Sequence, residues 1–251
     1  MLSVIIIAKN EQLNIRHCLE SVRWADELIV LDSGSTDDTV AIAREFTDKV
    51  FSTDWQGYGI QKQRALDHAT GHWVLNLDAD ESVDEQLKQQ IIHVMAANKY
   101  DACRIPIQMY FCDKPLRFSS SPSRHVRLFK REGARYSADI VHEKILLPEN
   151  ARIGQLLAPI EHHSFQDLSH ALYKMNRYSS YSAKIRLKQN NNASMCKSLS
   201  SSVWMFLRCY FLQRGFLDGR EGFLFALLNA QGSFYRGIKQ IYPDREIDKL
   251  P

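Results

Sequence analysis

Four short apolar runs, each ending in polar residues and each separated from the next by a helical pattern, constrain the fold more than anything else in this chain. Residues 4–8, 28–32, 49–52 and Trp73–Asp78 read as strands. Between the first two, Ile15, Cys18, Leu19 and Val22 fall at i, i+3, i+4 and i+7 behind a cap at Asn10, and Leu87, Ile91, Val94 and Met95 repeat that stripe after the fourth strand. Ser35-Thr36-Asp37-Asp38 reads as a capped helix start with acids in its first turn. Strand–helix alternation predicts an α/β fold, a mostly parallel Rossmann-like sheet with helices on both faces. Ligands bind such sheets beyond the carboxyl ends of the strands. Three polar loops gather there: Ala8-Lys9-Asn10-Glu11, Asp32-Ser33-Gly34-Ser35 and Asp78-Ala79-Asp80-Glu81.

The third loop carries the clearest chemistry. Successive strand residues point to opposite faces, so Asp78 and Asp80 project on the same side. Hard cations such as Mg²⁺ or Mn²⁺ take oxygen ligands and commonly join one or two carboxylates to a substrate diphosphate. A carboxylate pair on its own also fits a solvated loop after a strand, so its neighbours decide.

A chain of 251 residues makes one large or two small domains, and 45% hydrophobic with 24% charged residues is ordinary for a soluble globular protein. The amino terminus lacks the basic flank of a signal peptide and reads as a first core strand, which predicts a cytoplasmic protein. Cys18, Cys103, Cys112, Cys196 and Cys209 are odd in number and show no ligand-like spacing, against a disulfide framework or a zinc site. No run reaches the ~18 apolar residues that span a bilayer. The closest, 203–212, is interrupted by Arg208.

The net charge of +3 conceals an asymmetry: residues 1–169 hold 19 Lys and Arg against 24 Asp and Glu, whereas 170–251 hold 13 against 5. From residue 102 the pattern changes to strand-like pieces rich in Arg and aromatics, at 102–109, Arg124–Lys130 and 140–147. Ile160–Phe165 precedes a continuous helical pattern from 168 to 188, and 189–194 reads as a linker. The expected organisation is therefore a domain at 1–165, with halves at 1–101 and 102–165, followed by a helical region at 166–251.

Three segments in order, Val4-Ile5-Ile6-Ile7-Ala8-Lys9-Asn10-Glu11, Val30-Leu31-Asp32-Ser33-Gly34-Ser35-Thr36-Asp37 and Gly71-His72-Trp73-Val74-Leu75-Asn76-Leu77-Asp78-Ala79-Asp80-Glu81, resemble the family 2 inverting glycosyltransferases of the GT-A fold. Val141-His142-Glu143, the basic 124–131 stretch and Gly215-Phe216-Leu217-Asp218-Gly219 are most similar to the bacterial lipopolysaccharide-core glucosyltransferases. The resemblance implies metal-dependent transfer of a hexose, glucose above others, from a UDP-sugar to a lipopolysaccharide-core or related envelope acceptor, phosphorylated or lipid-linked. It further implies that Asp32 accepts hydrogen bonds from the uracil or ribose and that Ala8, Asn10 and Glu11 frame the base and ribose. Asp78 then lies near the ribose, Asp80 binds Mg²⁺ or Mn²⁺, and His162 supplies a further metal ligand. Glu143 is the implied general base for the acceptor hydroxyl, with Asp139 in reserve. Lys62 and Arg64 add positive charge at the diphosphate or form a solvated helix face. Arg124 and Arg127 contact a phosphorylated acceptor or guard an edge strand.

Residues 199–241 interleave aromatics with Arg208, Arg214, Arg220, Arg236 and Lys239. Helices of that kind lie in a membrane interface, which predicts peripheral attachment to the inner face of the cytoplasmic membrane; packing on the catalytic domain or in a dimer is the alternative. A haloacid-dehalogenase-like phosphatase would use Asp78 as nucleophile but leaves Asp32 and the first loop unexplained. A noncatalytic glycan-binding or assembly protein of the same fold is the other rival. The first loop lacks the glycine fingerprint of a dinucleotide-binding dehydrogenase. No nucleic-acid motif is visible, so no nucleic-acid partner is expected.

Overall fold

The computed structural model describes residues 1–119, 123–137, 144–165, 167–189 and 193–243. The amino-terminal alternation forms β1 (Leu2–Ala8), α1 (Ile15–Ser21), β2 (Glu27–Asp32), α2 (Thr39–Ala43), β3 (Val50–Ser52), α3 (Tyr58–Asp67) and β4 (Trp73–Asp78). The four strands pair in parallel in the order β3-β2-β1-β4. Every residue of β1 and β2 is buried, which is why these strands read as continuous apolar runs instead of alternating. Leu2, Val4 and Ile6 of β1 pack in one cluster with Ile15, Cys18 and Leu19 of α1. Ile5 and Ile7 belong to a second cluster with Ala65 and Leu66 of α3, so helices cover both faces.

Two expected helix starts move. Asn10 is not a cap: its φ of 55° places it in the left-handed region, and α1 begins later, with Asn14 at the cap position. Asn tolerates that backbone and also favours caps, so its identity does not separate the two roles. Likewise α2 starts at Thr39, and Asp37 accepts a bond from the Thr39 amide at 3.1 Å.

Beyond β4 the chain forms β5 (Glu81–Ser82), α4 (Glu85–Ala97), β6 (Ala102–Phe111), β7 (Lys114–Pro115), β8 (Arg124–Lys130), β9 (Arg135–Tyr136), β10 (Ile145–Leu146), β11 (Ile153–Gln155) and β12 (Ile160–Phe165). The expected strand at 140–147 is described only at Ile145–Leu146; residues 138–143 lie outside the described residues. The sheet continues β4-β8-β6-β12-β5, with β8 antiparallel to both β4 and β6. Two registers matter for the site. Val74 faces Phe129 and Leu75 faces Leu128, which brings Arg127 alongside the last residues of β4; His162 on β12 faces Glu81 on β5.

The chain divides into two compact units, one of Met1–Ile107 with Ser123–His162 and the other of Gln108–Pro122 with His163–Pro251. In the first, the amino ends of the strands are tied by Glu27. Its buried carboxylate accepts from Ser3 Oγ, Lys49 Nζ, the Thr70 amide at 2.9 Å and Thr70 Oγ1 at 2.9 Å, and Ser3 Oγ in turn accepts from the Gly71 amide at 2.8 Å.

The second unit contains α5 (Leu168–Lys188) and α6 (Met195–Leu207), which runs on as a π-helical turn at Arg208–Leu212. A 3-10 turn at Gly215–Asp218 leads into α7 (Gly219–Ile241). Small residues let α6 and α7 approach closely: a Cβ on Gly237 would sit 2.1 Å from Ser198 Oγ, and Ser201 Oγ lies 2.8 Å from Ser233 Oγ. The hairpin of β6 and β7 belongs to this unit, because Phe111 and Leu116 share a core with Ala171 and Leu228. Asp218 fastens the segment after it, accepting from the amides of Arg117 at 2.9 Å, Phe118 at 3.0 Å and Ser119 at 2.7 Å and from Ser119 Oγ at 2.6 Å.

Candidate active site

The loops after β1, β2 and β4 lie beyond the carboxyl ends of adjacent parallel strands, where such sheets bind ligands. The first two loops are laced together. The Ala8 carbonyl accepts from the Ser33 amide at 2.9 Å, the Asn10 amide donates to Ser35 Oγ at 2.8 Å, and Asn10 Oδ1 accepts from the Thr36 amide at 2.9 Å. Glu11 donates its amide to Thr39 Oγ1 at 2.8 Å, and its carboxylate accepts from Asn14 Nδ2 at 2.7 Å. Asp32 is buried and folds its own turn, accepting from the Gly34 and Ser35 amides, both at 2.9 Å, and from Ser35 Oγ. A carboxylate offers about four acceptor positions, so one remains for an outside donor.

Gln61, fully buried on α3, gives this edge its floor. Its amide donates to Ser33 Oγ at 2.8 Å, Thr53 Oγ1 at 3.1 Å and the Asp54 carbonyl at 2.9 Å.

The charged centre forms around Asp78. Lys62 Nζ lies 3.2 Å from Asp78 Oδ1, and Arg127 Nη2 donates to Asp78 Oδ2 at 3.0 Å and to Glu81 Oε1 at 2.7 Å. Glu81 Oε2 accepts from the Asp78 amide at 2.8 Å. Burial alone would raise the Asp78 pKa, but the charges of Lys62 and Arg127 hold it well below the ordinary carboxylate range. For Glu81 burial prevails and, with the Asp78 charge beside it, pushes the carboxyl up to about 7 despite Arg127. The Asp78 side chain keeps 32% exposure, so it faces outward while Glu81 anchors from within.

Asp80 Oδ2 lies 3.2 Å from His162 Nε2. Burial opposes an imidazolium at His162, yet the hydrogen bond and charge of Asp80 outweigh it and raise the pKa. The pair suits a hard or borderline divalent cation, since ligands at ~2.1 Å in neighbouring octahedral positions stand ~3 Å apart. Asp78, with each oxygen already facing a cation, is the poorer ligand.

Several residues sit elsewhere than the sequence led one to expect. Arg127 does not present itself to an acceptor: it is buried, because Val126, Leu128 and Phe129 carry it into the sheet beside β4. Arg124 is exposed and donates to Gln155 Oε1 at 2.8 Å. Arg64 pairs with Asp54 Oδ1 at 2.9 Å and so leaves Lys62 as the helix cation at Asp78. Glu143 and Asp139 lie outside the described residues. Sequence reasoning missed Gln61 and Glu81; the signal for Glu81 was its position inside the acidic loop, next to a strand-forming Ser82-Val83.

The family model for glycosyl transferase family 2 matches residues 3–165. The lipopolysaccharide core biosynthesis glycosyltransferase LpsC of Rhizobium meliloti is 31% identical over 264 residues, covering 100% of this chain and 95% of that protein. An uncharacterized glycosyltransferase of Rickettsia typhi is 32% identical over 250 residues, 95% of this chain and 86% of that protein. Among solved structures, S. aureus TarS 1–349 in complex with UDP-GlcNAc aligns with a TM-score of 0.48 at 17% identity, over 96% of this chain and 81% of that one. The family match spans the strands and loops that carry Asp32, Asp78 and Asp80, and the chain belongs to glycosyl transferase family 2, the inverting glycosyltransferases.

Proposed function

We propose that the protein transfers a hexose, glucose above others, from a UDP-sugar to a lipopolysaccharide-core or related envelope acceptor. The observation that carries the acceptor class is the likeness to LpsC, which runs the full length of this chain and includes the second unit as well as the matched domain.

On the donor side, Asp32 turns its remaining acceptor position to the uracil or ribose, and the laced loops of Ala8, Asn10 and Glu11 frame the nucleoside. Asp78, fixed from both sides by Lys62 and Arg127, meets the ribose. Asp80 and His162 hold Mg²⁺ or Mn²⁺. When bound, that cation supplies Lewis-acid neutralisation of charge on the departing diphosphate. Inversion requires a base on the face opposite the leaving group, and Glu143 takes the acceptor hydroxyl proton as that hydroxyl attacks the anomeric carbon. Arg124, at the start of β8, is the remaining candidate for a phosphate on the acceptor.

Residues 1–165 form the transferase domain in this reading, with the donor half at 1–101 and the acceptor half at 102–165, and 166–251 bring it to a lipid-linked acceptor. No helix among the described residues is long and apolar enough to cross a membrane. The aromatics and cations interleaved through 199–241 support peripheral attachment, on the inner face of the cytoplasmic membrane.

The test is a calorimetric titration of the purified full chain with a panel of nucleotide sugars, with and without Mn²⁺ or Mg²⁺, followed by transfer to core-truncated lipopolysaccharide. Metal-dependent binding of one UDP-sugar and its transfer to the truncated core are expected. Absence of binding to every nucleotide sugar with either metal would overturn the reading.

A further inference from the structure

We infer that the protein enters an anionic lipid surface through one defined element, the tip of the hairpin made by α6, its π-helical and 3-10 turns and the start of α7. This rests on the peripheral-membrane reading above and narrows it from 199–241 to a wedge at 203–223.

The wedge is apolar where it meets solvent. Val203, Trp204, Phe211, Leu212, Phe216 and Leu217 are all exposed, Leu212 at 66% and Trp204 at 57%. A folded protein rarely leaves so many large apolar side chains together in water without a partner for them. They stand on a rigid base. The Tyr210 ring touches those of Phe206, Phe211, Phe216 and Phe223, at centroid separations of 5.4, 5.1, 6.3 and 5.7 Å. Gly215 closes the turn where a Cβ would lie 2.6 Å from the Cys209 carbonyl oxygen, so the two halves of the tip hold one fixed geometry.

Charge selects the occupant. Arg208, Arg214 and Arg220 around the wedge are exposed, whereas the acids there, Asp218 and Glu221, are half-buried. Asp218 is moreover spent on the amides of Arg117, Phe118 and Ser119. A second copy of this chain would set those cations against their own kind. An anionic headgroup layer neutralises them while its acyl chains receive the apolar side chains between them. Trp204, exposed on α6 four residues before Arg208, carries an amphipathic ring of the kind that suits the headgroup level.

The experiment uses the full chain with vesicles of neutral phosphatidylcholine and of phosphatidylcholine mixed with phosphatidylglycerol. Sedimentation with the mixed vesicles alone, weakened by salt, is expected, together with quenching of Trp204 emission by brominated acyl chains that disappears in Trp204→Phe. Phe211→Ser with Leu212→Ser should lower partitioning at least ~10-fold. Arg208→Gln with Arg214→Gln should lower it ~25-fold, at about fivefold per cation. Leu157→Ser, at a still more exposed site in the first unit, should change nothing. Each variant is checked for an unchanged melting transition.

Binding to mixed vesicles that survives both double substitutions, with Trp204 unquenched, would overturn the wedge and leave the peripheral-membrane reading standing. Failure to bind any vesicle would overturn that reading and the wedge with it. Equal binding to neutral vesicles would overturn the anionic occupant. A dimer in solution that dissociates in Phe211→Ser with Leu212→Ser would make the second copy the occupant.

Discussion

The guanidinium of Arg127 and the carboxylate of Glu81 form a buried ion pair at 2.7 Å, and the same nitrogen holds Asp78 at 3.0 Å. A residue spaced like a surface cation thus serves as a strut inside the acidic loop. It fixes the one carboxylate that faces outward by way of one that does not.

Removing the strut leaves two carboxylates without their shared cation. Arg127→Met should destabilise the protein by about 3–5 kcal/mol, the usual cost of stranding a buried partner. Arg127→Lys should recover part of that loss. Urea unfolding checks both, and a Met variant within ~0.5 kcal/mol of the parent would deny Arg127 this role.

Donor binding and transfer should separate by residue. Asp80→Ala should abolish the metal-dependent part of UDP binding, while Glu143→Gln should bind UDP-sugar as the parent does and lose transfer. Calorimetry with and without Mn²⁺, paired with a transfer assay, reads both. Undiminished transfer by Glu143→Gln would remove Glu143 from the mechanism.

Glu27 predicts a specific acid sensitivity. Burial acts to raise its pKa, but bonds from Lys49, Ser3 and Thr70 lower it from 4.5 to about 2. A carboxylate depressed on folding contributes stability that is complete above the unfolded pKa and is lost as pH falls toward the folded one. The window here runs from pH ~5 down to ~2, and the contribution is on the order of 2 kcal/mol after discounting the screening of the half-exposed Lys49. Glu27→Gln should therefore be less stable than the parent at pH 7 and flatter across that window in denaturant titrations. A slope equal to the parent's would assign the acid sensitivity to other groups.

Gly71 admits no side chain. A Cβ there would lie 2.6 Å from Ser3 Oγ and 2.8 Å from the Ser3 backbone nitrogen, and β1 cannot yield without disturbing the sheet. Gly71→Ala should cost about 1–3 kcal/mol in thermal or urea unfolding, and the double substitution with Ser3→Ala should restore little because the backbone contact remains. Full rescue by Ser3→Ala would locate the clash in the hydroxyl alone.

The sheet was legible where the chain is buried on both faces. The span of β4 read from the sequence is the observed Trp73–Asp78, and β1 differs only at its first two residues. α5 likewise covers the full 168–188 pattern. The site was legible in part: Asp78 and Lys62 do converge, because strand polarity and one helix suffice to bring them to the same edge. Arg127 was not, since the acid that draws it inward is 46 residues away and the pairing of β8 with β4 is a matter of register. His162 reaches Asp80 through the pairing of β12 with a two-residue strand too short to leave a periodic trace. The attachment of 108–119 to the helices was hidden for the same reason: Phe111 and Leu116 announce that they are buried but not which residues bury them.

That attachment governs how the gene could be cut. The family match ends at 165, which invites excision of the transferase part at that point. A polypeptide severed there would keep Phe111, Leu116 and Phe165 while discarding Ala171, Leu224, Phe225 and Leu228 that cover them. It would also leave the amides of Arg117, Phe118 and Ser119 without the carboxylate of Asp218. Heredity and folding thus draw different borders on this molecule, and any minimal enzyme carved from it has to follow the second.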